Sequence, residues 1–264
     1  MSVDTSDVLY VEIDDRVATI TLNRPASRNA LNAELRRLIR STMTTVDADP
    51  DIDVVILTGA DPAFCAGIDL KELGAATGGV TSAGGLDISG DSRPFDPMST
   101  PVIGAINGVA ITGGFELALL CDFLVASEHA RFADTHARVG IQPGWGLTTE
   151  LPRAVGYRRA KELSATGNFC DAQRALDWGL VNHVVPHTEL MAFARKLAAD
   201  IAGNDRAGVR RILRTYDEGA RLTGADAARL EAEVSSEWIR SVSGADVEAR
   251  RAAVTERGRS QNQP

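Results

Sequence analysis

Apolar residues recur along this chain in two rhythms, one of period two and one near 3.6. Residues 8 to 22, VLYVEIDDRVATITL, hold two β-rich runs split by Asp14 and Asp15, which predicts a hairpin closed off by Asn23-Arg24-Pro25. From Asn32 to Val46 the apolar positions Leu35, Leu38, Ile39, Met43 and Val46 fall at helical spacing and stop at Asp49-Pro50, so an amphipathic helix is expected there. The run Val54 to Leu57 does not alternate at all and ends in Thr58-Gly59, as a strand buried on both faces of a parallel sheet would. Pro101 to Ile106 and Asp122 to Ser127 are further short strands. Between them Gly108 and Gly113-Gly114 lead into FELALLCD, which reads as strand, glycine turn and helix. Strands and helices alternate, which predicts an α/β fold.

Outside these elements the pattern weakens. Leu73 to Gly90, with Gly at 74, 78, 79, 84, 85 and 90, reads as a loop expected to be mobile, either a plain linker or a lid. Ala130 to Gly146 reads as turn and loop, followed by a helical stretch from Leu147 to Ala165. Helices dominate the C-terminal third, over Glu189 to Ala202, Arg206 to Glu218 and Ala225 to Ser241, and the tail from Asp246 is basic and polar. No internal repeat is evident.

Composition narrows the function classes. The chain has 264 residues, 44% hydrophobic and 24% charged, enough for a sizeable core without staples. A formal net charge of -8 gives no global basic field for nucleic acid or an anionic membrane, so neither partner is expected. No apolar run approaches the ~20 residues of a membrane span, and the acidic start MSVDTSDVLYVEIDD lacks signal-peptide blocks, which makes the cytoplasm the expected compartment. Cys65, Cys121 and Cys170 show no CxxC spacing and are expected to be reduced. Neither a metal-ligand cluster nor a GxGxxG after a strand appears, so no metal and no nicotinamide cofactor is expected.

Two segments share one design. In AFCAGIDLKEL (63 to 73) and NGVAITGGFELALLCD (107 to 122) a small-residue turn after a strand leaves backbone N–H groups free to face a cleft. In the second the glycines also open a helix, whose orphan N–H groups and dipole favour a developing anion. Glu116, three residues after Gly113, shares its helix face. Its carboxylate could act as a general base or acid, or could simply favour the helix N-terminus electrostatically.

Taken in order, AFCAGIDLKEL, the NG-x(4)-GG-x-E-LAL-x-CD pattern, FADTHARVGIQPGWG and WGLVNHVVP resemble the crotonase family, the enoyl-CoA hydratase and isomerase superfamily, over residues 8 to 259. The resemblance implies a crotonase-like ββα spiral core, placed at 1 to 200, and a C-terminal helical trimerisation region at 201 to 264. It implies a homotrimer or a dimer of trimers. An acyl-CoA thioester would be the substrate, with CoA entering only as part of it. It assigns the two oxyanion donors to the N–H groups of Ile68 and Gly113, and the first catalytic glutamate to Glu116. Where the family has its second glutamate this chain has His136, which could exchange protons near its ordinary pKa of ~6.5 or serve as a polar wall. The pattern also puts the Gly144 N–H near the catalytic water, and Trp145 and Leu73 at the acyl pocket, though core packing would equally account for Trp145. Arg24, Arg28, Ala66 and Lys71 fall in segments that face CoA, and Arg257 or Arg259 in a segment that reaches a neighbouring subunit's ligand. Val254 stands where an aromatic is common, which weakens an adenine contact from the tail. Hydration of a trans-2-enoyl-CoA is the leading function. The alternatives are a Δ3,Δ2-enoyl-CoA isomerase, a CoA-thioester-binding homologue with little turnover, and a dehalogenase or decarboxylase using the same hole.

Overall fold

The computed structural model describes residues 6–75 and 93–261. Most of the expected glycine-rich loop, from residue 76 onward, lies outside the described residues, while Leu73 itself belongs to a short helix.

The hairpin forms as expected from β1 (Leu9–Asp14) and β2 (Val17–Leu22), paired antiparallel. Its two turn residues, Asp15 and Arg16, both have positive φ, 43° and 66°, as a two-residue primed turn requires to match strand twist. Helix α1 (Ala33–Ala48) then crosses over, with the Asn32 side chain capping it by accepting the Leu35 N–H. Its face Leu35, Leu38, Ile39, Met43 and Val46 is buried. The crossover delivers β3 (Val54–Gly59) parallel to β2, and β3 is buried along its whole length, which explains its lack of alternation. β5 (Val102–Ile106), β7 (Phe123–Ser127) and β10 (His183–Val185) extend this sheet in the order β1-β2-β3-β5-β7-β10.

A second sheet, ordered β4-β6-β8-β9, comprises β4 (Ala63–Cys65), β6 (Val109–Ile111), β8 (Arg131–Ala133) and β9 (Cys170–Asp171). Each of β4, β6 and β8 follows directly on a strand of the first sheet and precedes a helix. These helices are α2 (Leu70–Ala75), α3 (Gly113–Leu119) and α4 (His136–Val139). The chain thus winds strand, strand, helix three times, which is the expected ββα spiral. The stretch 130 to 146, expected as loop, supplies both β8 and α4. The helical stretch after it is two helices, α5 (Leu147–Val155) and α6 (Tyr157–Thr166), divided at Gly156 with φ +83°. The fully buried Phe64, Phe115 and Phe132 fill the interior beside the second sheet, with the Phe115 and Phe132 rings 5.4 Å apart. After α7 (Ala172–Asp177), α8 (Leu190–Ala202) covers the first sheet, packing Leu190, Ala194 and Ala198 with Val54, Ile56, Ile103 and Val125.

Two compact units result, one ending at Ala207 and the other beginning at Gly208, so the division falls after α8 and not at residue 200. The second unit contains most of α9 (Arg206–Gly219), with α10 (Gly224–Ser241) and α11 (Gly244–Gln261), which occupies the polar tail. Within it, α9 and α10 flank a cleft of about 730 Å³ lined by Ile212, Tyr216, Val234, Trp238 and Ile239 among others. Ile212, Tyr216 and Ile239 are 59%, 73% and 68% exposed, an unusual amount of open apolar surface for so small a unit. No helix among the described residues is long and apolar enough to cross a membrane.

Candidate active site

The site starts where β4 leaves the second sheet. Residues 66 to 69 are stitched to residues 28 to 31 by Ala66 N–H to Arg28 O, Leu31 N–H to Gly67 O and Asp69 N–H to Leu31 O. The Arg24 guanidinium braces the same turn, contacting Asp69 Oδ2 at 3.0 Å and donating to Ala30 O. The Ile68 N–H is left with no acceptor among the described residues, and the Gly113 N–H at the start of α3 is in the same position. The two groups lie side by side. A Cβ placed on Gly113 would stand 3.6 Å from Ile68 N, and one on Gly67 would stand 3.3 Å from Gly113 N.

Glycine is required at these positions for separate reasons. Gly67 has φ +90°, and a side chain there would meet Ile111 O at 2.7 Å. Gly114 abuts β4 so closely that a Cβ would come 2.1 Å from Cys65 O. Just before the Gly113 donor, Thr112 holds φ 54° and ψ -113°, a strained conformation for a β-branched residue. Its N–H donates to Ala133 O, and its hydroxyl pairs with that of Thr135 at 2.5 Å, so the second sheet holds the strain in place.

One helical turn after Gly113, Glu116 is 2% exposed. Its Oε1 accepts the Trp145 N–H at 2.8 Å and its Oε2 lies 3.5 Å from His136 Nε2. His136, 5% exposed, turns its other nitrogen to Asp134, with Nδ1 to Oδ1 at 2.7 Å. The same Oδ1 accepts the His136 N–H at 3.1 Å. A buried row of carboxylate, imidazole and carboxylate thus borders the two free N–H groups. Burial alone would lower the His136 pKa, but the hydrogen bond to Asp134 and the hydrogen bond and charge of Glu116 outweigh it and raise it to about 9. Burial likewise favours a neutral Asp134, yet hydrogen bonds from His136 and Ser164 bring its pKa below the ordinary carboxylate value. The two carboxylates thus favour the imidazolium form of His136. The unperturbed value near neutrality does not hold in this setting.

The remaining expected residues fall in several places. Trp145 is 5% exposed and belongs to the core, and its ring edge would lie 2.9 Å from a Gly113 Cβ, so it packs and walls the hole at once. Gly144 is exposed, and the N–H that meets the Glu116 carboxylate is that of the next residue, Trp145. Ala66 and Leu73 are half-buried. Arg28 and Lys71 are exposed, whereas Arg24 is engaged in bracing its turn. Arg257 and Arg259 lie on α11 in the second unit, as does the exposed Val254. Among the described residues no group of three His, Cys, Asp or Glu side chains converges as metal ligands. Sequence reasoning passed over Asp134, the Trp145 N–H and Thr112. The Asp134-x-His136 spacing could have flagged the first, because Asp commonly accepts the backbone N–H two residues on.

A spiral that alternates between two sheets and ends its turns in paired free N–H groups defines a crotonase-type fold. The family model for enoyl-CoA hydratase/isomerase matches residues 12–257, and the chain belongs to that family. It is 41% identical over 217 residues to the Arabidopsis thaliana protein named "Probable enoyl-CoA hydratase 1, peroxisomal", covering 82% of this chain and 81% of that one. The crystal structure of enoyl-CoA hydratase from Mycobacterium tuberculosis H37Rv is similar at 49% identity and TM-score 0.74, covering 89% of this chain and 100% of that one. The Mycobacterium smegmatis enoyl-CoA hydratase structure is similar at 48% identity and TM-score 0.73, with 90% and 100% covered.

Proposed function

We propose that the protein is a hydro-lyase that adds water across the double bond of trans-2-enoyl-CoA thioesters, with Glu116 and His136 as the two halves of one proton device. The observation that carries this reading is the 3.5 Å contact between Glu116 Oε2 and His136 Nε2, both buried, one helical turn from the Gly113 N–H. The thioester oxygen sits between the Ile68 and Gly113 N–H groups, each worth ~2.7–4 kcal/mol to an oxyanion in comparable holes. Glu116 removes a proton from water as its oxygen bonds to C3. The double-bond electrons move onto the thioester as an enolate, and the imidazolium Nε2–H protonates C2. This leaves Glu116 protonated and His136 neutral. A direct transfer from Oε2 to Nε2 restores the resting pair, with water's two parts now on C3 and, by way of Glu116, on the imidazole.

Relatives named as enoyl-CoA hydratases support this choice among the chemistries that an oxyanion hole allows. Arg28 and Lys71, exposed beside the turn that carries Ile68, suit the phosphates of CoA, and Trp145 suits one wall of the acyl site. No metal or redox cofactor takes part in the proposed steps. The open apolar face of α9 and α10 suits packing against further copies in a homotrimer or dimer of trimers. The compartment proposed is the cytoplasm. The test is incubation with a panel of 2-enoyl- and 3-enoyl-CoA thioesters, following the conjugated enoyl absorbance. Loss of absorbance with 2-enoyl substrates is expected. A gain with 3-enoyl substrates and no loss with 2-enoyl ones would make the protein an isomerase, and no change with either would remove the enzymatic reading.

A further inference from the structure

We infer that Asp134 is a positioning residue, whose carboxylate locks the His136 ring so that Nε2, carrying a proton, faces the Glu116 carboxylate. One oxygen of Asp134 receives both the ring Nδ1 at 2.7 Å and the backbone N–H of the same histidine at 3.1 Å. That double hold fixes the ring orientation, because a flip would surrender the shorter bond. An ionised carboxylate only accepts, so Nδ1 carries a hydrogen. Were Nε2 then bare, its lone pair would face Glu116 Oε2 at 3.5 Å inside a water-poor site. Two carboxylates, 1% and 2% exposed, would also share that site without a cation.

Among the described residues, the groups that meet the ring and its partners bring no second cation. Glu116 faces it from α3 and Asp134 from the β8–α4 connection. From α6, neutral Ser164 hydrogen-bonds Asp134. On the ring's own helix, Arg138 turns to Thr166 O and the Asn168 side chain. The imidazolium is thus the charge that balances the buried row, and Asp134 fixes its direction and, with Glu116, its charge. Asp134 does not touch the reacting atoms. Its catalytic consequence rests on the hydration reading above, whereas the placement of the proton does not.

The experiment is imidazole 15N NMR of histidine-labelled full-length protein across pH 5 to 10, with His136 assigned by its loss in His136→Gln. Wild type should keep His136 protonated through neutrality, and Asp134→Asn should bring the midpoint down by about one unit or more. In the same Asp134→Asn protein, kcat for a 2-enoyl-CoA should fall with KM little changed. Ser164→Ala, which removes only the support of Asp134, should shift the midpoint in the same direction by less, and it serves if Asp134→Asn does not fold. A wild-type midpoint at the ordinary imidazole value, or one that neither variant moves, overturns the inference. If the midpoint shifts while no enoyl-CoA is hydrated by wild type, the hydration reading fails and the role of Asp134 in placing the proton stands.

Discussion

The Ile68/Gly113 side of the site is made of backbone and the Glu116/His136 side of buried ionisable side chains, and the two answer to sequence change in different ways. Any residue but proline at 68 offers the same N–H, so what the first side requires is mainly the absence of Cβ atoms at Gly67, Gly113 and Gly114. The second side depends on which groups are present and on the charge each holds. A histidine where the family pattern has a glutamate would leave one carboxylate and a neutral ring, but Asp134 and Glu116 on either side of it raise its pKa to about 9. A pair of backbone N–H donors can therefore stay constant while the titratable groups beside it change with two or three side chains.

Each side fails in its own manner when altered. Glu116→Gln should have the largest effect, lowering kcat by ~10² to 10⁴ with KM nearly unchanged, since it removes the base and keeps an acceptor for the Trp145 N–H. Steady-state kinetics check this, and an equal loss of thioester binding would point to a structural role. Gly113→Ala should follow. Its methyl would meet the Trp145 ring at 2.9 Å beside the hole, so kcat/KM should drop by ~10² through misplacement of the thioester. Gly114→Ala instead drives a Cβ to 2.1 Å from the Cys65 carbonyl, which has no flexible end to yield. Denaturant titration should show Gly114→Ala losing stability by about 1–3 kcal/mol or more, with Gly113→Ala closer to wild type.

A third prediction concerns stability against pH. The folded pKa of His136 is raised to about 9 from 6.5, so its contribution is fully present below the unfolded value and is lost as pH rises through 9. Asp134, depressed in the fold, contributes above its unfolded pKa and loses that contribution as pH falls through its lower folded value. Denaturation midpoints at pH 7 and 10 should therefore fall more in wild type than in His136→Gln. Arg28→Ala and Lys71→Ala should act least. Both side chains are exposed, and the expected result is a rise of a few-fold in KM that fades with added salt, at constant kcat.

Much of the fold could be read from the chain because its long elements carry their own signals. The hairpin, the capped face of α1 and the apolar runs of β3, β5 and β7 each span enough residues for their pattern to register. The strands β4, β6 and β8 are three residues each, shorter than a period-two pattern needs, so the second sheet was hidden although the motifs lying on it were visible. Helix α11 escaped because its polar, basic sequence has no apolar stripe. At the site, glycine spacing marked the backbone donors, and the helix face marked Glu116. The charge of His136 could not be read in the same way, because it arises from two carboxylates that only the folded chain brings to either side of the ring.

The proton device is tested most directly by the pH dependence of kcat/KM for hydration of one short 2-enoyl-CoA, in wild type and His136→Ala. With Glu116 as base and a His136 imidazolium as acid, wild-type kcat/KM should stay level through neutrality and decline as pH rises through about 9, and the residual rate of His136→Ala should show no such decline. A wild-type decline between pH 6 and 7, or an alkaline decline that persists unchanged in His136→Ala, would contradict it.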